Sequence, residues 1–419
     1  MRRLLLLVGT ALLVAAGPPP GKPPEAVTAA ALKAAPVWDG HNDVPEQLRE
    51  RRRNMIATFD FRDTSNTADP AGKVAAMQTD LLRLRKGQVG AQFWSVYVSA
   101  ALPEPQAVQA TLEQIDVMKR VIARYPAELQ LVTTSAEVEA ALKAGKIASL
   151  IGMEGGHSIG GSLAVLRQMY ALGARYMTLT HYRNTAWADS ANDAPAHDGL
   201  TDFGRDVVRE MQRLGMLVDL SHVSEATMID ALEVARAPVF FSHSNARAIN
   251  SHPRNLADSV LDAVRANGGI VMVNAYPGYI SESIRQWNIT RAAEQARADA
   301  RFVGNPAGAA AALAEWEKIS PAPTGGISDV ANHIDHIVRR VGIDHVGLGG
   351  DYDGIDVTLT GMADVSTYPA LFTELARRGY SQAQLEKIAS RNMMRVLKAG
   401  EAYAAAHRGD PPIENPTVF

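Results

Sequence analysis

The feature that most constrains the fold is a regular alternation of short apolar runs with longer segments of helical pattern. Eight of these runs are strand candidates: 37–41, 91–98, 148–153, 174–180, 216–220, 238–242, 269–275 and 345–349. Buried parallel strands read as continuous apolar runs, and eight of them joined by crossover helices close a barrel. The pattern therefore predicts an α/β protein with a (β/α)8 TIM barrel. A doubly wound open sheet is the alternative, but no Gly-x-Gly-x-x-Gly motif follows the first run.

One segment is too long for a minimal barrel. Residues 281–326 are rich in alanine and helical in pattern, and they separate the seventh and eighth strand candidates. The segment leaves the seventh strand at its carboxyl end, which is the face where barrel enzymes carry their sites. We therefore expect a helical insertion that covers the site or meets a partner subunit, and a homodimer remains open.

Several strand candidates end on residues of the types that commonly bind metals. The first run ends at His41, and Asp43 follows two positions later, so both side chains point to the same face of an extended strand. Later runs stop at Glu154, His181, His222, His243 and Asp351. Because the carboxyl ends of barrel strands share one rim, these side chains should surround one cavity. That convergence predicts a metal site.

The composition restricts which ligands this site can use. The chain contains no cysteine, so any metal must be held by histidine and carboxylate groups. Five candidates, His41, Asp43, Glu154, His222 and His243, are more than the three that a catalytic zinc takes from the protein. They suit two ions that share Glu154, one on each carboxylate oxygen, with an acidified water between ions roughly 3.5–4 Å apart. We therefore predict two divalent metal ions per chain, bridged by Glu154.

The charge of the chain and its N-terminal pattern bear on its partners, its domain bounds and its location. The net charge of −3 without long runs of one sign does not favour a nucleic-acid partner. Two arginines precede a short apolar segment and then a Pro-rich stretch, which predicts a secretory signal peptide over residues 1–20. A Pro/Ala linker over 21–36, a barrel domain over 37–400 and a C-terminal tail over 401–419 follow. We expect export to the periplasm or the extracellular space, with no membrane span after cleavage; an uncleaved N-terminal anchor is the alternative.

The motifs along the chain resemble those of the membrane (renal) dipeptidase family of zinc peptidases, within the metal-dependent amidohydrolase barrels. The matching stretches are DGHND (39–43), IGMEGGH (151–157), LTH (179–181), VDLSHVS (218–224), FSHSN (241–245), HPRN (252–255), MVN (272–274) and GLGGDYDG (347–354). They occur in the order of the family and cover roughly residues 37 to 400. The resemblance implies that His41 and Asp43 hold one zinc, that His222 and His243 hold the other, and that Glu154 bridges them.

The resemblance also implies roles for three further residues. His181 would polarise the scissile carbonyl or bind the oxyanion, and Arg254 would grip the C-terminal carboxylate of the substrate. Asp351 would take the proton from the attacking water and deliver it to the leaving amine, with Asp353 as its competitor for that role. The activity implied is that of a binuclear zinc dipeptidase, in which a metal-bridging hydroxide attacks the peptide bond of a dipeptide.

The sequence leaves two other functions open. One is a different metal-dependent amide hydrolase, such as an N-acyl amino acid deacylase or a β-lactam hydrolase, since nothing in the motifs shows whether a free α-amine is required. The other is a dipeptide-binding protein without activity, which the complete set of ligands disfavours. The 281–326 insertion leaves the side-chain preference undetermined.

Overall fold

The core of the molecule is a closed barrel of parallel strands. The computed structural model describes residues 22–69 and 74–414. Its strands are β1 (Val37–Asn42), β2 (Val89–Tyr97), β3 (Leu129–Leu131), β4 (Ile147–Glu154), β5 (Ala174–Thr178), β6 (Leu217–Asp219), β7 (Phe240–Phe241), β8 (Ile270–Val273) and β9 (Val346–Leu348). All strands but β3 form the ring, which is completed by the β1–β9 and β2–β4 pairings. The eight predicted strands and the predicted (β/α)8 barrel are confirmed.

The strand β3 was not predicted from the sequence. It pairs with residues 147–149 of β4, whereas β5 pairs with residues 151–154 of the same strand. β3 therefore extends the sheet only beside the first half of β4. A three-residue strand with one exposed residue carries too few apolar positions to be recognised from its pattern.

The barrel interior is filled by large side chains. Trp38, Phe93, Tyr176, Phe240 and Met272 come from five different strands, are fully buried and belong to one apolar cluster. The interior is thus a packed core and not a channel, as is usual for a barrel of eight strands. It gives the rim above it a rigid base.

Helices surround the barrel and connect its strands. They are α1 (Pro24–Ala34), α2 (Val44–Arg52), α3 (Leu81–Lys86), α4 (Glu104–Arg124), α5 (Ser135–Lys143), α6 (Leu163–Ala171), α7 (Asp202–Leu214), α8 (Glu225–Val234), α9 (Asp258–Asn267), α10 (Pro277–Ile280), α11 (Glu282–Arg301), α12 (Pro306–Ile319), α13 (Ile327–Val341), α14 (Tyr368–Arg377), α15 (Gln382–Glu386) and α16 (Asn392–Ala406). The predicted helical insertion, residues 281–326, contains α11 and α12, and the short helix α10 joins it to the carboxyl end of β8. Helix α13 then returns the chain to β9.

The region before the barrel is not a linker as predicted. Residues 24–34 form helix α1, whose Ala31 and Leu32 are buried against α14 and α15. Alanine is the best helix former, and the apolar side chains recur at helical spacing, so packing can stabilise the segment despite its prolines. At the other end, α16 continues to Ala406, so the first residues of the predicted tail are helical.

The predicted signal peptide, residues 1–20, lies outside the described residues. Within residues 22–69 and 74–414, none of the helices combines the length and the apolar character that crossing a bilayer requires.

Candidate active site

The predicted site residues meet at the carboxyl-end rim of the barrel. A cavity of about 270 Å³ opens there, and its walls include Asp43, Glu154, His181, His222, Arg254 and Asp351. His41 and His243, at most 1% exposed, complete the cluster through contacts with Glu154. The structure therefore brings together all eight residues that the sequence singled out, although they come from the ends of six strands.

The first group of potential ligands surrounds His41. Its Nε2 atom lies 3.3 Å from Oδ2 of Asp43 and 3.4 Å from Oε2 of Glu154. The three ligand atoms of this group fall within 4.8 Å of one another, and all three residues are buried. One nitrogen and two carboxylate oxygens at this spacing can hold a divalent cation.

The second group shares Glu154 with the first. Oε1 of Glu154 lies 3.0 Å from Nε2 of His222 and 3.5 Å from Nε2 of His243. The two carboxylate oxygens of Glu154 thus face different groups, Oε2 toward His41 and Oε1 toward the histidine pair. A third possible grouping joins His41, His243 and Asp351.

Hydrogen bonds from outside the cluster orient two of the imidazoles. Nδ1 of His41 pairs with the hydroxyl of Tyr176 at 2.9 Å, and Nδ1 of His243 pairs with the hydroxyl of Ser242 at 2.8 Å. The Ser242 hydroxyl also donates to the buried carboxylate of Asp219 at 2.6 Å. Since Nδ1 is engaged in each ring, Nε2 is the nitrogen aimed into the cluster, which is how outer residues usually fix metal-binding histidines.

The unpaired polar atoms of the cluster test whether a metal would fit. Among the described residues, Nε2 of His41 and both carboxylate oxygens of Asp43 are buried without a hydrogen-bond partner. Leaving such atoms unsatisfied costs about 1–3 kcal/mol each, more when they are charged. A cation bound by all three would remove that cost, so the donor set and its unsatisfied atoms fit a metal.

The protonation states of Glu154, His222 and His243 also suit metal binding, whereas Tyr176 and the carboxylates of Glu154 and Asp43 raise the pKa of His41 well above its usual range despite its burial. Burial alone would raise the pKa of Glu154, but the charge of the neighbouring His41 imidazole and a hydrogen bond from His222 hold it well below its usual range. Burial, reinforced by the positive charge of Arg254, lowers the pKa of His222 and His243 well below the usual range of histidine. An ionised carboxylate and neutral imidazoles are the forms that coordinate a cation.

Asp351 faces the cavity from the loop after β9. Its Oδ2 accepts a hydrogen bond of 2.7 Å from the side-chain amide of Asn274, and burial raises the pKa of its carboxyl well above the usual range. Its backbone is left-handed, with φ of 62°. Asp353 does not line the cavity; its Oδ1 accepts from the backbone N–H of Gln78 at 2.8 Å. Of the two predicted candidates for proton transfer, only Asp351 is therefore placed to contact a substrate.

His181 and Arg254 stand on the cavity wall near the histidine pair. Nε2 of His181 lies 3.5 Å from Oε1 of Glu154, and burial lowers the pKa of His181 to about 4, so its imidazole is neutral. Arg254 is 1% exposed, and its Nε and Nη1 atoms have no hydrogen-bond partner among the described residues. Its guanidinium stacks 5.5 Å from the ring centre of Tyr279. A buried guanidinium with free donors is suited to an anionic ligand group.

Sequence reasoning missed several residues of the cavity. Glu46, Tyr97 and Asp356 line it, and Tyr176 supports His41 from the barrel interior. Glu46 follows Asp43 by three positions, which is one turn of the helix that begins after the first strand. That spacing was the available signal for Glu46, whereas Tyr97, Tyr176 and Asp356 carry no sequence pattern that distinguishes them.

The fold and the site together define a class: barrel metallohydrolases with clustered histidine and carboxylate ligands on the carboxyl-end rim. Within that class, residues 26–410 match the model of the membrane dipeptidase family, peptidase family M19, and the chain belongs to this family.

Known proteins with similar sequences and structures agree with this assignment. The chain is 39% identical to dipeptidase 3 of Macaca fascicularis over 390 residues, which cover 92% of this chain and 69% of that protein. It is 40% identical to an uncharacterized dipeptidase of Schizosaccharomyces pombe over 394 residues, which cover 90% and 84%. A solved metallopeptidase from Rhodobacter sphaeroides, liganded with a phosphinate mimic of the dipeptide L-Ala-D-Ala, superposes with a TM-score of 0.69 at 25% identity, covering 87% of this chain and 99% of that one.

Proposed function

We propose that this protein is a binuclear zinc dipeptidase. His41 and Asp43 would hold one ion, His222 and His243 would hold the other, and Glu154 would bridge the two. The observation that carries the proposal is the position of Glu154, whose Oε2 lies 3.4 Å from Nε2 of His41 while its Oε1 lies 3.0 Å from Nε2 of His222. When bound, the zinc pair would supply Lewis acidity and an acidified water for attack on an amide carbonyl.

The other residues of the cavity support hydrolysis of a short peptide. The neutral imidazole of His181, on the cavity wall beside Glu154, can hydrogen-bond to the substrate carbonyl oxygen and to the negative charge that develops on it. Asp351 would accept the proton of the attacking water at a carboxylate oxygen and give it to the nitrogen of the leaving amine. Its hydrogen bond from Asn274 holds the carboxylate in place.

Arg254 would set the length of the substrate. The free donors of its buried guanidinium can bind the C-terminal carboxylate of a dipeptide in a bidentate manner. A longer peptide would place an amide there, which leaves the guanidinium charge without its partner. The relatives described as dipeptidases, and the Rhodobacter structure with its dipeptide mimic, are consistent with this substrate class.

The experiment that tests the proposal combines metal analysis with an activity panel. The protein should contain two zinc ions per chain and should hydrolyse L-L or L-D dipeptides, with loss of activity on chelation and recovery on adding zinc. N-acetylated amino acids and a β-lactam serve as competing substrates. A preference for either of these over every dipeptide would overturn the proposal in favour of a different amide hydrolase.

We also propose that the protein acts outside the cytoplasm. The support is the basic and then apolar pattern of residues 1–16, followed by a Pro-rich stretch. Cell fractionation together with N-terminal sequencing of the purified protein tests this. An intact Met1 on a protein confined to the cytoplasm would contradict export.

A further inference from the structure

The cavity has an acidic wall that the proposed chemistry leaves unused. Glu46 lies on helix α2, one turn after Asp43, and its side chain lines the cavity. Within the part of the chain that the structure describes, no hydrogen bond or ion pair reaches its carboxylate. Asp356, an exposed carboxylate in the loop after β9, lines the same cavity. Among the described residues, Glu46 is therefore a cavity carboxylate without a cationic side chain as its counter-charge.

The arginines of α2 do not supply that counter-charge, because each is engaged elsewhere. Arg49 contacts Glu113 at 3.2 Å, Arg51 contacts the carbonyl of Ala75 at 2.7 Å, and Arg52 contacts the hydroxyl of Thr58 at 2.8 Å.

The positively charged Arg254 lies on a different part of the rim from Glu46. Arg254 follows β7 whereas Glu46 follows β1, and β8 and β9 lie between these strands around the ring. The guanidinium of Arg254 is 1% exposed, and its Nε and Nη1 have no hydrogen-bond partner among the described residues, which independently marks this cavity as a ligand site. If a dipeptide places its carboxylate on Arg254, as the proposed function requires, its N-terminal residue is directed to the side of the cavity that carries Glu46.

We propose that Glu46 binds a cationic side chain on the N-terminal residue of the dipeptide, so that the enzyme favours lysine or arginine at that position. The inference rests on the proposed dipeptidase function and specifies its substrate. The α-ammonium group is bonded to the carbon next to the scissile carbonyl, so it must stay close to the metal cluster. Glu46 is displaced from Asp43 by roughly 4.5 Å along the axis of α2, which suits a longer side chain.

The test compares two dipeptides that differ in one group. Norleucine is lysine without its side-chain ammonium, so lysyl-alanine and norleucyl-alanine isolate that charge. For the zinc-loaded wild type we expect kcat/KM to be at least about tenfold higher for lysyl-alanine, the scale of a charge-assisted hydrogen bond. In Glu46→Gln the ratio of the two values should fall to about one, and Glu46→Asp should restore part of it.

Glu50→Gln is the matched control. It removes the same charge one turn further along α2, from an exposed side chain that does not line the cavity, so it should leave the ratio unchanged. Thermal unfolding of each variant is measured to check that the fold is retained. A wild-type ratio near one, or an unaltered ratio in Glu46→Gln, would overturn the role of Glu46 while leaving the dipeptidase function intact. Failure to hydrolyse these two and every other dipeptide of the activity panel would overturn the dipeptidase function, and the role of Glu46 with it.

Discussion

His222 and His243 are 21 residues apart in the sequence, yet their Nε2 atoms lie 2.7 Å apart. They follow the adjacent strands β6 and β7, and both rings point to Oε1 of Glu154. Without a cation, one ring must donate to the other. With a cation between them, both lone pairs are used at once. This pair therefore supports a cation site beside Oε1 of Glu154, which is one half of the proposed two-ion site.

Removal of Glu154, the proposed bridge, should disturb both ions of the proposed site. We expect Glu154→Ala to lower zinc content from two ions per chain to one or none, because each group loses an oxygen ligand. Metal analysis after gel filtration measures this. Asp356→Asn, which removes a cavity carboxylate outside all three groups, is the control and should keep both ions. Full zinc occupancy in Glu154→Ala would contradict the bridge.

Replacement of Asp351 should lower the rate of hydrolysis without removing the metal ions. We expect Asp351→Asn to retain both ions and to lower kcat by roughly 10²–10⁴-fold, the usual contribution of proton transfer by a side chain. Zinc content and steady-state kinetics are measured on the same sample. Asp353→Asn provides the comparison, since its carboxylate is turned toward Gln78 and should matter less for turnover. Loss of an ion in Asp351→Asn would make this residue a ligand instead.

The role of Arg254 predicts a specific pattern of non-additivity. Arg254→Ala, or C-terminal amidation of the substrate, should each lower kcat/KM by roughly two to three decades, because breaking a buried charge pair costs about 3–5 kcal/mol. Both changes together should cost little more than one, since they remove the same contact. If Arg254 only packs on Tyr279, its loss would reduce stability and would affect free and amidated dipeptides alike. Full additivity would exclude the carboxylate contact.

Acid should weaken the fold through His333, a buried residue of helix α13. Its Nδ1 accepts from the backbone N–H of Ala246 at 3.1 Å, its Nε2 pairs with the carbonyl of Ile280 at 2.9 Å, and burial lowers its pKa to about 4. The unfolded chain takes up a proton below about pH 6.5 and the folded protein does not. The free energy of unfolding therefore falls between about pH 6.5 and 4, by ~3 kcal/mol at most.

Urea unfolding at about pH 7 and about pH 5 measures this effect. His333→Gln should be less stable than the wild type at the higher pH, and its disadvantage should shrink at the lower pH. His407→Gln, which removes a histidine at the end of α16, is the matched control. An equal pH dependence in the wild type and His333→Gln would exclude this histidine as the titrating group.

The sequence was sufficient to predict the barrel and the residues of its rim. Each barrel strand is a short apolar run, and a parallel ring forces the residues that end these runs, such as His41 and Glu154, onto one face. The sequence was not sufficient to predict the residues that hydrogen-bond to the rim residues from inside the barrel. Tyr176 contacts His41 only because β5 faces β1 across the barrel, and 135 residues separate the two in the chain.

The N-terminal helix and the acidic wall show the same limit. In the sequence, Leu32 and its neighbours have the composition of a Pro/Ala linker. In the structure they form a helix that packs against α14 and α15, and this packing stabilises the short helix more than its intrinsic propensity does. In the sequence, Glu46 looks like an ordinary surface residue. Its importance depends on its place in the cavity wall and on the arginines of α2 having other partners. Such contacts follow from tertiary structure, which a single sequence does not display.

The closed ring has a consequence for how the protein acquires its site. The rings of His41 and His243 lie 3.9 Å apart, although β8 and β9 separate β1 from β7 by the shorter way around the barrel. These two histidines can approach only after the last strand has docked beside the first, where the N–H of Asp351 donates to the carbonyl of His41 at 3.2 Å. Such distant pairing is slow to form during folding. Uptake of the proposed metal ions during refolding would therefore report the final step of barrel assembly, and a partly synthesised chain would lack the complete set of proposed ligands.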